Sequence, residues 1–144
     1  MKIKFTAIAL GVSMIAGLAI AEGKATDPLV IAQKELMQSF GGAAKTLGGM
    51  AGGDVAFDAA GAAAAKAALV DGAAKIAAVF EKAGTDPESK SKPEIWTSWD
   101  DFVAKGKALG DAAAALDAST LEGVQAGMGG VGGACKACHT AYKI

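Results

Sequence analysis

The sequence predicts an all-α protein, an antiparallel up-down-up-down bundle of four helices. Three observations predict it: proline occurs at only three of 144 positions (28, 87 and 93), alanine is abundant, and no window shows the period-two alternation of a strand.

Met1-Lys2-Ile3-Lys4 is a short basic segment and Phe5 to Ile20 an almost unbroken apolar run, ending in Ala19-Ile20-Ala21. That combination predicts a secretory signal peptide over residues 1–21, removed to leave a chain that starts at Glu22. The apolar run is shorter than the roughly 20 residues a membrane span needs, and no other segment could cross a bilayer. Residues 22–144 are 123 residues, enough for one domain with a modest core. They carry 12 lysines against 15 acidic residues, a formal charge of −3, and no arginine. Neither nucleic acid nor an anionic membrane is implied as a partner. Every cationic contact must come from lysine.

The first helix opens with Asp27 as N-cap and Pro28 at the first helical position. It is expected to run to about Leu47 or Met50, where Gly48-Gly49 and Gly52-Gly53 break it. Leu29, Val30, Leu36, Met37, Phe40, Ala44 and Leu47 recur at intervals of three and four and form its buried stripe. A second helix is expected from Asp58 to about Glu81, with Leu69, Val70, Ala73, Ile76, Ala77 and Phe80 facing the core. Residues 83–93 are polar, carry Pro87 and Pro93, and read as the one long connection. A third helix is expected from about Ser98 to Leu116, carrying Trp99, Phe102, Val103 and Leu109. Ser119 to Glu122 matches an S-x-x-E capping box and starts a fourth helix that runs to the C-terminus. That helix holds a local contradiction, because five of the seven residues from Gly127 to Gly133 are glycine, each costing about 1 kcal/mol relative to alanine. A flat prosthetic group lying against the backbone would explain them.

The chemistry lies in Cys135-Lys136-Ala137-Cys138-His139. On a helix the two thiols stand three residues apart on one face, where each can bond one vinyl-derived carbon of a haem, and His139 can turn its imidazole to the iron. A redox-active dithiol normally accompanies a βαβ framework that this chain lacks. A zinc site needs further ligands, and these are the only cysteines and the only histidine. One covalent haem c is therefore expected, bound through Cys135 and Cys138 with His139 as proximal axial ligand. A second histidine ligand is impossible within one chain. The sixth position falls to methionine, to lysine, or to nothing. Met128 stands on the proximal helix itself, which leaves Met37 and Met50, and Met37 in the stripe between Leu36 and Phe40 is the better candidate. Its alternative role is ordinary core filling.

Three blocks make the chain resemble the class II c-type cytochromes, the cytochrome c prime family. They are Gln33-Lys34-Glu35-Leu36-Met37 with Gly41 and Leu47 beyond, Lys92-Pro93-Glu94-Ile95-Trp96 with Phe102, and Val131-Gly132 leading into Cys135 to Lys143. The resemblance implies a four-helix bundle, exported to the periplasm, monomeric or paired as a homodimer through its first two helices. It also implies that Met37 occupies the position facing the open side of the haem. In the high-spin branch that position holds an apolar residue that does not bind iron, and nitric oxide or carbon monoxide binds there. In the low-spin branch, cytochrome c-556, a methionine binds the iron, and this sequence is similar to that branch through the first helix. Where the family commonly has an arginine on a haem propionate, this chain has Gln33, so Gln33 and Lys34 become the candidate propionate contacts. Lys143 matches a basic position of the family, and Trp96 a core or loop anchor.

Two functions follow as expectations. With His139 and Met37 both on the iron, the protein is a one-electron carrier serving periplasmic redox proteins, and not an enzyme. With Met37 merely lining the pocket, it is a five-coordinate binder of nitric oxide or carbon monoxide. No paired carboxylates, serine-histidine pair or phosphate loop supports hydrolytic or transfer chemistry.

Overall fold

A computed structural model describes residues 23–144, so the expected signal peptide and its cleavage site lie outside the described residues. Five helices follow in order: α1 (Pro28–Gly52), α2 (Ala59–Val79), α3 (Glu94–Thr97), α4 (Trp99–Ala115) and α5 (Leu121–Tyr142). Among the described residues there is no strand beyond one isolated bridge between Ser91 and Lys143. The long helices pack in a closed ring, α1 on α2, α2 on α4, α4 on α5 and α5 on α1, which is the four-helix bundle. The single turn of α3, unmarked by any sequence period, seats Ile95 in the core.

The Asp27 carboxylate accepts from the Leu29 N–H to start α1, and Asp58 accepts from Ala60 and Gly61 to start α2. Gly48-Gly49 does not end α1, contrary to the sequence expectation. Leu47 and Met50 on either side are buried, and their packing outweighs the weak helix propensity of the glycines between them. The stop comes at Gly53, where φ is 79° and the backbone N–H turns back to the carbonyls of Gly49 and Met50. The buried stripe of α1 is also rotated slightly from the expected one: Val30, Phe40, Ala43, Leu47 and Met50 are buried, Leu36, Met37 and Ala44 half-buried, and Leu29 exposed.

The cap of α5 is Thr120 and not Ser119. The Ser119 hydroxyl is committed to the Asp117 carboxylate at 2.6 Å, whereas Thr120 Oγ1 accepts from the Gly123 N–H at 3.0 Å. From there α5 runs unbroken through its glycines. Val124, Val131 and Tyr142, all buried, share its inner face and hold it against the bundle. Gly127 is required by that packing, because a Cβ there would sit 2.7 Å from Leu116 Cγ. Gly129, Gly132 and Gly133 have nothing within 4 Å of a Cβ and project outward.

Reciprocal carboxylates tie the segment before α1 to the connection after α2. Asp27 Oδ2 accepts from the Thr85 N–H at 2.6 Å. Asp86 Oδ2 accepts from the N–H groups of Thr26 and Asp27 at 2.7 and 3.1 Å, and its Oδ1 from Glu88 N–H at 2.8 Å. These donors hold the Asp86 carboxyl well below its ordinary range, at about 2.

Two predictions follow from the packing. Replacing Gly132 or Gly133 with alanine should stabilise the protein by about 1 kcal/mol each in denaturant unfolding, while Gly127→Ala should destabilise it. Because the Asp86 pKa is lowered on folding, its contribution is present above the ordinary 3.8 and is lost as pH falls toward 2. The protection of the Thr26 and Asp27 amides from exchange, relative to the free chain at the same pH, should therefore fall across that window, and Asp86→Ala should lower it at neutral pH.

Candidate haem site

One cavity of about 340 Å³ opens where the upper halves of the helices meet the connection after α2. Val30, Gln33, Lys34, Met37 and Gln38 of α1 line one side, and Cys138, His139, Tyr142 and Lys143 at the end of α5 another. Ile76 and Phe80, Ile95 and Phe102 close the interior, and Ser89, Lys90 and Ser91 complete the rim. The cavity thus gathers Met37, Cys138, His139, Gln33, Lys34 and Lys143, residues up to 110 positions apart in the chain. Met50 is not among them: it is buried lower in the bundle, where its Cε would lie 3.3 Å from a Cβ at Gly61. Met128 is likewise remote, with its Cε facing Gly48.

Cys135 and Cys138 are half-buried against the core and neither is in a disulfide. Burial pushes both thiols above their ordinary value. Burial, reinforced by the Lys143 ammonium, pushes the His139 imidazole below its own, toward the neutral form that can donate a nitrogen lone pair to a metal. Among the described residues no cluster of three or more histidine, cysteine or acidic side chains could hold a bare metal ion. A haem fits instead. Its two thioether bonds and one axial bond match the cysteines and His139, its ring suits the apolar wall, and its carboxylates suit the lysines of the rim.

Residues 29–143 match the sequence model of the cytochrome c′ family. The chain belongs to the cytochrome c′ family. Its cofactor is accordingly haem c, bound covalently. Its relatives carry both names used within the family. It is 39% identical over 115 residues to a cytochrome c-556 of Agrobacterium tumefaciens (76% of this chain, 89% of that protein). It is 34% identical to a cytochrome c′ of Rhodopseudomonas palustris, over 99% of this chain and 97% of that one. The solved cytochrome c′ of Rhodobacter sphaeroides superposes with a TM-score of 0.73 at 31% identity, covering 81% of this chain and 95% of that chain.

The expected roles of several residues are sharpened or altered. Gln33 is buried, and its side-chain amide donates to the Lys82 carbonyl at 3.2 Å, so it ties α1 to the connection after α2. Lys34 lies 3.9 Å from the Glu88 carboxylate. Trp96 is an anchor, donating from its indole nitrogen to the Phe80 carbonyl at 2.9 Å. The glycines of α5, like Cys135, are not among the residues that line the cavity.

Sequence reading missed the rim residues Ser89 to Ser91, which only the tertiary fold carries to the site. A backbone ladder holds them there, with Lys92 N–H donating to Tyr142 O and Ile144 N–H to Lys90 O, both at 2.9 Å. It also missed Tyr142, although its place three residues after His139 puts it one helical turn on. Its hydroxyl donates to Asp101 Oδ2 at 2.5 Å, and its ring meets Phe102 edge-on at 5.3 Å. The hydrogen bond to Asp101, together with burial, pushes the phenol up to about 12 and holds the Asp101 carboxyl below its ordinary range.

Tyr142 is the only tyrosine, which makes its titration directly readable. Because the folded pKa is raised, the stabilisation is complete below the ordinary value of 10.0 and is lost as pH rises toward 12. Ultraviolet difference titration should show no phenolate at pH 10.5 in the native protein. In Asp101→Asn the titration should move down toward 10.

Proposed function

We propose that the protein is a periplasmic one-electron carrier whose haem iron is bound by His139 and Met37, and that it is not an enzyme. The observation that carries this reading is that Met37 is the one methionine lining the cavity that Cys138 and His139 enter. When bound, haem c supplies an iron that changes oxidation state by one electron, at a potential that methionine ligation raises.

The chain's own groups then have distinct tasks. Cys135 and Cys138 would fasten the ring to α5, and His139, whose pKa burial and Lys143 lower, would offer its nitrogen. Met37 offers a thioether from a helix fixed by Phe40, Leu47 and the Gln33 bond to Lys82. With both donors on packed helices, a bound iron would change oxidation state with little movement of the groups that hold it. The apolar wall of Val30, Ile76, Phe80, Ile95 and Phe102 would exclude water from it. Lys34 and Lys143 line the cavity, where they would meet the propionates, Lys34 leaving Glu88 to do so. Gln33 gives one of its two amide N–H groups to the Lys82 carbonyl, bracing α1 behind Lys34, and keeps the second as a donor for a propionate.

The second reading, a five-coordinate binder of nitric oxide or carbon monoxide, draws on the same apolar wall and on relatives named cytochrome c′. Absorption spectra separate the two. The electron-carrier reading expects a low-spin wild type in both oxidation states, and a Met37→Ala variant that turns high-spin and binds carbon monoxide. A high-spin wild type would establish the gas-binding reading. A low-spin spectrum unchanged in Met37→Ala would assign the sixth position to another residue and overturn Met37 as ligand.

A further inference from the structure

Charge is distributed unevenly over the surface. Residues 23–144 hold more carboxylates than lysines, yet Lys34, Lys90 and Lys143 line the cavity, and among the described lining residues there is no carboxylate. Two more lysines adjoin them. Lys136 is exposed and seven residues before Lys143, on the same side of α5. Lys92 reaches that side as well, its Nζ donating to the Thr140 carbonyl at 3.3 Å. Among the described residues Lys90, Lys92, Lys136 and Lys143 have no carboxylate within ion-pair distance, whereas Lys105 and Lys107 on α4 are paired with Asp101 and Asp111. Lys34 alone of the rim lysines has such a neighbour, Glu88. Against that carboxylate, two haem propionates and the carboxylate of Ile144, whose N–H donates to the Lys90 carbonyl, five ammonium groups still leave the rim positive in a chain that is negative as a whole.

The outward glycines belong to the same surface. At the helical angle of about 100° per residue, Gly129, Gly132 and Gly133 fall on the side of α5 that continues into Lys136, Thr140 and Lys143, opposite buried Val124, Val131 and Tyr142. With no side chains there and nothing within 4 Å of a Cβ, the surface beside the lysines is smooth down to the backbone.

We propose that this combination is a docking surface for the acidic face of a protein redox partner. Lys34, Lys90, Lys92, Lys136 and Lys143 steer the partner to the haem rim, and the glycine stripe lets it approach the backbone of α5 next to His139. The exchange moves one electron between the two proteins and no atoms. The proposal rests on the electron-carrier reading and adds to it the sign and location of the contact. It also gives a use to Gly129, Gly132 and Gly133, where the packing would admit a side chain.

The test uses the haem-loaded protein and three probes: hexacyanoferrate, hexaammineruthenium and polyglutamate. At low salt, exchange with anionic hexacyanoferrate should be fast and fall about tenfold as ionic strength rises, while exchange with cationic hexaammineruthenium should rise. The double variant Lys90→Glu/Lys143→Glu should slow hexacyanoferrate about tenfold at low salt, and Lys75→Glu, on exposed α2 surface, should not. Polyglutamate should shift backbone NMR resonances of residues 90–92 and 129–143. Gly132→Gln with Gly133→Gln should weaken that binding severalfold and leave the small-ion rates unchanged. Equal salt dependence for both ions, equal effects of the two lysine sites, or polyglutamate shifts elsewhere would overturn the docking surface. Co-sedimentation with phosphatidylglycerol vesicles through the same lysines, without polyglutamate binding, would assign it to a membrane and overturn a protein partner. Failure to exchange electrons with either ion would instead overturn the carrier reading itself.

Discussion

The site depends on α5 remaining one straight helix to its last turn. Cys135, Cys138 and His139 sit within eight residues of its end, and a break at the glycines would leave all three held only through Tyr142 and the residues after it. The helix is carried across that stretch by a few apolar contacts: Val124 is buried before the glycines, Val131 among them, and Tyr142 beyond the attachment motif. Each fully buried aliphatic side chain contributes about 1.5 to 3 kcal/mol, enough to offset the poor local propensity. Tertiary packing thus decides a secondary structure that local preference opposes.

The same turn is clamped from outside. Tyr142 bonds Asp101 on α4, and the backbone of Tyr142 to Ile144 pairs with Lys90 to Lys92. That ladder closes the cavity on the side the helices leave open. On the opposite rim Gln33 and the Asp27 and Asp86 carboxylates tie the start of α1 to the connection after α2. The cavity is therefore walled by packed helices and by one connection, that after α2, pinned by hydrogen bonds to the start of α1 and to the end of α5. Such a frame would hold a bound cofactor with little movement around it.

Much of the fold was legible because its signals are local. Asp27-Pro28 marks a helix start by chemistry contained in two residues, and Asp58 does the same for α2. The pattern failed where two adjacent residues offer the same chemistry, as Ser119 and Thr120 do. Which one caps α5 depends on where Asp117 lies, and no periodicity reports that. It failed also at Gly48-Gly49, where burial of Leu47 and Met50 outweighs propensity, and at the single turn of α3, too short to show a period.

The sequence by itself determined the cofactor. Two cysteines, one histidine and their spacing admit few other uses, and these residues are neighbours in the chain. Tertiary structure decided what surrounds it. Met37 rather than Met50 joins the cavity because α1 runs past His139 at one end of the bundle and buries Met50 lower down. Gln33 turned from a free amide into a brace because the Lys82 carbonyl is brought to it. The lysines of the rim come from α1, α5 and the connection after α2, and nothing in their sequence spacing relates them. Covalent chemistry is written in adjacent residues, whereas the shape and charge of a cavity arise only when distant segments are packed together.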